Sequence, residues 1–540
     1  MSLARCIVCC ILALLGTLQV HAREPAERLL DEQRQAAERS RLERDALPPA
    51  DAPAPALHVR PDSVVEDGVV IERPSIEIDA AGLLPAHVLA SLTDEFSAVP
   101  LGVRRIALLL RRLDARLVEA GWITSRSRLA TLDPARNLLR IEVVPGRLEV
   151  IRSNDAPPSA VARAFPLAPG DVLTQEALEQ GVQQINRLRM VQAQVRVLPG
   201  AQDGGSVIDL ALRPGQSTSV SIGADNLGTR STGTGRARVG LRFGNRLGLF
   251  EDIQLLHLRS AHSEALLASL SVPDGFNTWS ATLSGSSSDS TLAGLSFDSS
   301  ARTAVIGWNR VLALDAERRD VVDLSVQRTR IARTLGPVEL DTRRSTVARL
   351  AWSRTGRLGH VQYFVEPSLS VGLRSFGAEV DAERMPASHT HYQFAKWSLA
   401  AAAVARDDGG RIEFASQLTL QRTGVSLPGA EQLLLGGLNT VRGFDEAAVA
   451  GDTGYLLRCE VRFPGVFGRD TRVATPFVHF DQGATRLIDG PRMTLAGAGA
   501  GVRGSTPDFV WEAVISTPLR RPEALPDSGW TIRFALGYAI

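Results

Sequence analysis

The sequence predicts an exported chain in which two small α+β modules precede a sixteen-stranded antiparallel transmembrane β-barrel. Three observations carry this. The chain opens on a cleavable leader, helical periodicity is confined to the residues before about 216, and beyond that point short alternating strands recur roughly every twenty residues.

At 540 residues the chain exceeds one ordinary domain. A net charge of +1 with 22% charged residues leaves no basic footprint for nucleic acid and no acidic tail. Nearly all the positive charge is arginine, with Lys396 the exception. Residues 1–22 read as a signal peptide: Met1 to Arg5 is short and positive, Ile7 to Val20 is apolar, and Val20-His21-Ala22 is a small-residue cleavage site. That apolar run falls short of the ~18 residues needed to span a bilayer. Cys6, Cys9 and Cys10 leave with the leader, so Cys459 remains alone and no internal disulfide forms. No later stretch is apolar enough for a membrane helix. Export without such a helix leaves a soluble, peripheral or β-barrel protein.

Residues 23–46 follow as a helix free of glycine, about 35 Å long at ~1.5 Å per residue. It is polar nearly all round, which suits a helix bridging solvent, lying in a wet channel, or forming a solvated extension. Residues 47–60 are a Pro/Ala linker, extended by composition. The first module, residues 61–146, has a strand at Ser75 to Asp79. Helices follow over Pro85 to Phe96 and Val103 to Ala120, then a strand pair ending at Gly146. The second, residues 147–214, opens with a strand at Arg147 to Ile151. Its helix runs from Thr174, its N-cap, to Leu188, and a hairpin closes around Gly200 to Gly205. Each reads strand, helix, helix, strand, strand, with sheet edges that a partner strand could extend.

Residues 215–540 alternate. In Arg236 to Phe243 the odd positions are apolar and the even ones Arg or Gly, and Val322 to Gln327 and Leu457 to Phe463 repeat the pattern. A β-sandwich also alternates, but here strands run to about eight to twelve residues, the length that crosses a bilayer when tilted. Their polar face carries Arg, Glu and Asp, too charged for a dry core and suited to a wet lumen. Trp279, Trp352, Trp397, Trp511 and Trp530 fall on the apolar face or at strand ends, as interfacial aromatics do.

The longest gap between strands, roughly residues 422 to 453, holds Val441-Arg442-Gly443-Phe444. Arg442 needs an acceptor, and Phe480-Asp481-Gln482-Gly483 offers one. Alternation puts Val478 and Phe480 on lipid and His479, Asp481 and Gly483 in the lumen. Asp481 there could accept a bidentate bond from Arg442, while Gly443 lets the tip turn and Phe444 wedges it.

With these parts in place the chain resembles the TpsB transporters of two-partner secretion, over nearly the whole mature length. Val441 to Phe444 resembles the family's VRGF/Y motif on an inward-folded extracellular loop. His479 to Gly483 resembles its F-x-D-x-G wall motif, with His479 where Phe is usual. Weaker matches are Asp225 to Gly228 with Thr232-Gly233, Asn245 to Leu249 with Asp252, and Gly121 to Arg126; Ile540 replaces the usual terminal aromatic. The resemblance implies two periplasmic POTRA modules, a plug formed by helix 23–46, and an outer-membrane pore exporting a partner. That partner would be a large secreted β-helical adhesin or haemolysin-like exoprotein with an N-terminal secretion domain, and the barrel would sit among outer-membrane lipids. A barrel-assembly factor of the same superfamily and a passive porin are the alternatives.

No catalytic, cofactor or metal constellation is found: no His-Glu-x-x-His, no Gly-x-Ser-x-Gly, no phosphate loop and no paired cysteines. A barrel-embedded hydrolase therefore lacks its nucleophile. Gly497-Ala498-Gly499-Ala500-Gly501 imitates a nucleotide fingerprint but precedes no helix, so it reads as a strand whose small residues leave space. His479 reads as a polar wall residue, and Cys459 as inert and lipid-facing.

Overall fold

A computed structural model describes residues 61–66, 70–72, 74–188, 191–214, 218–292, 294–315, 317–444, 448–466, 474–525 and 529–540. The expected leader, helix 23–46 and linker lie outside these.

The first module comprises β1 (Ser75–Asp79), α1 (Ala86–Ser97), α2 (Val103–Glu119), β2 (Arg126–Asp133) and β3 (Leu138–Val144). Helix α2 forms because Ile106, Leu109, Leu113 and Leu117 recur at helical spacing, and all four are buried. They pack on Leu139, Ile141 and Val143, the alternate inward residues of the central strand β3. The second module repeats the order with β4 (Arg147–Arg152), α3 (Pro158–Ala164), α4 (Gln175–Asn186), β5 (Val191–Pro199) and β6 (Gly205–Pro214). Thr174 caps α4, accepting from the Ala177 N–H at 3.1 Å. Helix α3, which the expected strand, helix, helix, strand, strand order requires, has only seven residues, too few for periodicity to fix its bounds. In both sheets the last strand in chain order, β3 or β6, is central, so that β1 and β2 in the first sheet and β4 and β5 in the second are the edges.

The barrel closes through sixteen strands. They are β7 (Thr218–Asp225), β8 (Arg236–Gly244), β9 (Asp252–Ser260), β10 (Ser263–Asp274), β11 (Asn277–Leu292) and β12 (Leu295–Leu314). Then come β13 (Arg318–Leu335), β14 (Val338–Leu358), β15 (Val361–Gly372), β16 (Ala395–Arg406) and β17 (Glu413–Thr423). A short hairpin, β18 (Leu433–Leu435) and β19 (Val449–Gly451), interrupts the series. The last five wall strands are β20 (Thr453–Arg462), β21 (Thr475–Arg486), β22 (Arg492–Ser505), β23 (Phe509–Arg520) and β24 (Thr531–Ala539). Reciprocal bonds between Val220 and Ile540 (2.9 and 2.8 Å) finish the seam between β7 and β24. The terminal residue therefore works through its backbone. Trp279, Trp397 and Trp530 face outward and are more than half exposed.

Two expectations change. Strands β11 to β14 run to 16, 20, 18 and 21 residues, longer than a bilayer requires. Their outward faces turn polar above the apolar belt, so the hairpins stay paired in water. The gap at 422–453 is also not structureless, because β18 and β19 pair antiparallel within it.

The second module is fastened to the barrel. Phe250, in the turn after β8, is fully buried in that module's apolar core. Arg187 donates to the Phe250 carbonyl and the Ser271 hydroxyl, both at 2.6 Å. Gln184 reaches the carbonyls of Gly275 (2.9 Å) and Asn277 (3.0 Å), and the Leu314 N–H donates to Glu176. Three turns at one barrel end thus meet one face of α4. That end is fixed as the module side, and the loop between β17 and β20 enters from the opposite rim.

Candidate functional site: an arginine clasp in the barrel lumen

The inserted segment brings its own apolar body. Leu433, Leu435, Val441, Phe444 and Val449 pack with the wall residues Leu456 and Leu495. Gly436 and Gly437 (φ 113° and 106°) turn the chain, and Thr440 accepts the Gly436 N–H at 2.8 Å. Gly443 has φ 97°, and a Cβ there would stand 2.8 Å from the Thr517 carbonyl carbon. Only glycine meets both conditions.

Arg442 lies at the tip with a side chain 1% exposed. Its Nε and Nη2 donate to Asp481 Oδ2 and Oδ1 at 2.6 and 2.7 Å, a bidentate pair. Its Nη1 donates to Glu460 Oε1 at 2.6 Å, and its backbone N–H adds a bond to Asp481 at 3.2 Å. Strands β20 and β21 set this up by register: Arg458 faces Asp481 and Glu460 faces His479. Burying a charge is costly unless its partners are present, and here each charge has several. Arg458 stands 3.8 Å from Asp481 and donates to the Leu438 carbonyl of the loop. Glu460 also accepts from Arg462 (2.9 Å) and Arg503 (3.0 Å). Arg462 continues to Glu413 at 2.8 Å, which Arg406 meets at 2.6 Å. A line of alternating charge thus descends the inner wall, with the Phe477 ring 4.3 Å from the Arg503 guanidinium.

The glycine stripe supplies the space. On β22, Gly497, Gly499 and Gly501 pair with Asp481, His479 and Phe477 of β21. A Cβ on Gly497 would land on the Arg442 carbonyl oxygen, and one on Gly501 on the Phe477 ring. Gly483 likewise leaves room for Leu435 of the loop. His479 bonds Ser516 Oγ through Nε2 at 2.9 Å, with Nδ1 3.3 Å from Asp481. Phe480 points outward, opposite Cys459.

The structure therefore brings Val441, Arg442, Gly443, Phe444, Asp481 and Gly483 together and leaves Phe480 on the outer face. Sequence reasoning missed Glu460, Arg458 and Arg503. Their polar parity was visible, but which wall residue meets the loop depends on strand register. At its root the loop is tied by Asp452, fully buried, which accepts the N–H groups of Leu427 (2.8 Å) and Ile488 (2.9 Å). Lys396 completes the root, donating to Glu431 Oε2 at 2.6 Å.

Residues 204–504 match the family described as haemolysin secretion/activation protein ShlB/FhaC/HecB. The chain belongs to that family. Residues 74–146 match the ShlB-type POTRA domain and residues 147–199 a further POTRA domain. The outer membrane transporter CdiB of Escherichia coli is 30% identical over 457 residues, covering 81% of this chain and 75% of that protein. Hemolysin transporter protein HpmB of Proteus mirabilis is 27% identical, covering 66% of each. The solved structure of CdiB from Escherichia coli superimposes with a TM-score of 0.86 at 28% identity, over 96% of this chain and 99% of that one. BamA from Haemophilus ducreyi shares the fold alone, with TM-score 0.51 at 13% identity over 87% of this chain and all of that one. This family member is an outer-membrane transporter with its POTRA domains in the periplasm, and it moves a secreted partner protein to the cell surface.

Proposed function

We propose that the Arg442 clasp on Asp481 and Glu460 holds the inserted loop in the position that export requires. The supporting observation is the bidentate, fully buried pair between loop tip and wall. The exported partner is a large β-helical exoprotein, adhesin- or haemolysin-like, with an N-terminal secretion domain. It meets the POTRA domains extended, adding a strand to an open edge. Both β2 and β5 are edges, with Leu129, Leu132, Val197 and Leu198 exposed on them. The rigid seat of the second POTRA domain on three barrel turns would then deliver the chain to the lumen. No bond chemistry is involved. No nucleotide is available outside the inner membrane, so folding of the partner beyond the pore biases the direction.

The test is secretion by an Arg442→Ala variant co-expressed with the secreted protein that the wild type exports. Export should be lost while the barrel still inserts and runs as a heat-modifiable band. Normal export would remove the role given to the loop. Loss of many barrel proteins on depletion, rather than of one secreted protein, would favour the assembly-factor reading instead.

A further inference from the structure

The outer wall of β12 to β14 carries a second charged feature, on the opposite face from the clasp. Arg302, Arg330 and Arg344 are directly opposed across three adjacent strands, and all three are exposed. They share the face of Trp308, Leu324 and Leu350, the row six residues nearer the periplasm, so they point outward. Like charges opposed in one row destabilise a sheet. None of these three guanidinium groups, nor that of Arg328 two residues below Arg330, makes a hydrogen bond or ion pair with a described residue. The nearby Glu379 carboxylate is taken by the Arg344 backbone N–H at 3.1 Å.

Their height is set by β13. Its outward side chains run Asp320, Val322, Leu324, Val326, Arg328, Arg330 from the periplasmic end. Asp320 is paired with Arg354 at 2.6 Å. From Asp320 to Arg330 is about 33 Å of strand at ~3.3 Å per residue, or roughly 25 Å along the normal at a tilt near 40°. That matches the apolar band of an outer-membrane barrel. The arginines therefore begin where the outer leaflet's headgroups lie. Beside Arg330 the wall forms an open cleft of about 550 Å³, lined by Arg330, Ser287, Ser300, Thr334, Thr342 and Asp298. The cleft's hydroxyls and its carboxylates, Glu264, Asp289, Asp298 and Glu339, suit sugar hydroxyls, and the guanidinium forks of the arginine row suit phosphate.

We propose that this face binds the phosphorylated sugar headgroup of an outer-leaflet glycolipid, its phosphates on Arg302, Arg330 and Arg344 and its sugar in the cleft. The site rests on the barrel's outward orientation and membrane location, and is independent of the Arg442 clasp.

Native mass spectrometry of the full-length protein in micelles tests it, with a diphosphorylated glucosamine-based lipid as probe. Wild type should retain the lipid, and Arg302→Gln/Arg330→Gln/Arg344→Gln should retain at least tenfold less while remaining heat-modifiable. Arg310→Gln, an exposed outward arginine at the periplasmic end of β12, should behave as wild type. On wild type alone, the dephosphorylated lipid should be held at least tenfold less well, and millimolar inorganic phosphate should not displace the probe. Equal retention by the triple variant, equal retention of the dephosphorylated lipid, or equal retention of phosphatidylglycerol would each overturn the assignment. The wild-type arms decide the matter even if the triple variant does not fold.

Discussion

Replacing Arg442 by alanine removes three side-chain bonds to two buried carboxylates. Removing one member of a buried ion pair costs about 3–5 kcal/mol, because the remaining charge is stranded. Here the stranding is partial. Arg458 remains 3.8 Å from Asp481, and Arg462 and Arg503 remain on Glu460, which places the loss near the lower bound. About 3 kcal/mol corresponds to roughly a hundredfold shift in the balance between seated and released loop. Hydrogen exchange of peptides covering 433–444 reads that balance, since local opening sets their exchange. The rate should rise about a hundredfold in Arg442→Ala, with peptides from β12 and β13 unchanged. Arg442→Lys keeps the charge but loses the planar fork, and should fall between the two. Unchanged exchange in Arg442→Ala within an intact barrel would refute the reasoning, as would equal exchange in the lysine and alanine variants.

Gly497→Ala leaves every charge in place but drives a Cβ into the Arg442 carbonyl, so it should release the loop at a cost of about 1–3 kcal/mol, read by the same exchange experiment. Phe250→Ala empties the core of the second POTRA domain and should destabilise it by about 3–5 kcal/mol, seen as earlier melting of that domain with an intact barrel band. Burial raises the Glu176 carboxyl above its ordinary range, against the Leu314 N–H that it accepts. The docked state therefore takes up a proton more readily than the released one. Docking should strengthen as pH falls through the raised value towards the ordinary carboxylate range and weaken as pH rises through it. Exchange at Leu314 against pH should show this slope, and Glu176→Gln should flatten it.

Alternation made the barrel legible, because a wall with lipid on one side and water on the other has to repeat every second residue. Phe480 and Asp481 could be sent to opposite faces on that ground alone. Periodicity likewise placed α2, whose four leucine-type positions all point into one core, but it could not place the bounds of α3, which spans too little chain to repeat. Glu460 was hidden for a different reason. Nothing local distinguishes it from the other inward carboxylates, and its meeting with Arg442 follows from how β20 and β21 slide past each other. The glycines at 497, 499 and 501 could be read as space, but what fills that space comes from a segment more than fifty residues earlier. The length of β11 to β14 escaped because polar residues on both faces look like loop until pairing is known.

Lys396 is the only lysine in 540 residues, and its ammonium is folded beneath the loop root against Glu431. Apart from the start of the chain, the molecule thus presents acylating reagents with a single amine, which is 9% exposed while the loop is seated. A membrane-impermeant reagent added to living cells would mark each transporter at most once there, and only after its loop had moved. Labelling at Lys396 would therefore report release of the loop root in each transporter, a readout installed by what the composition leaves out everywhere else.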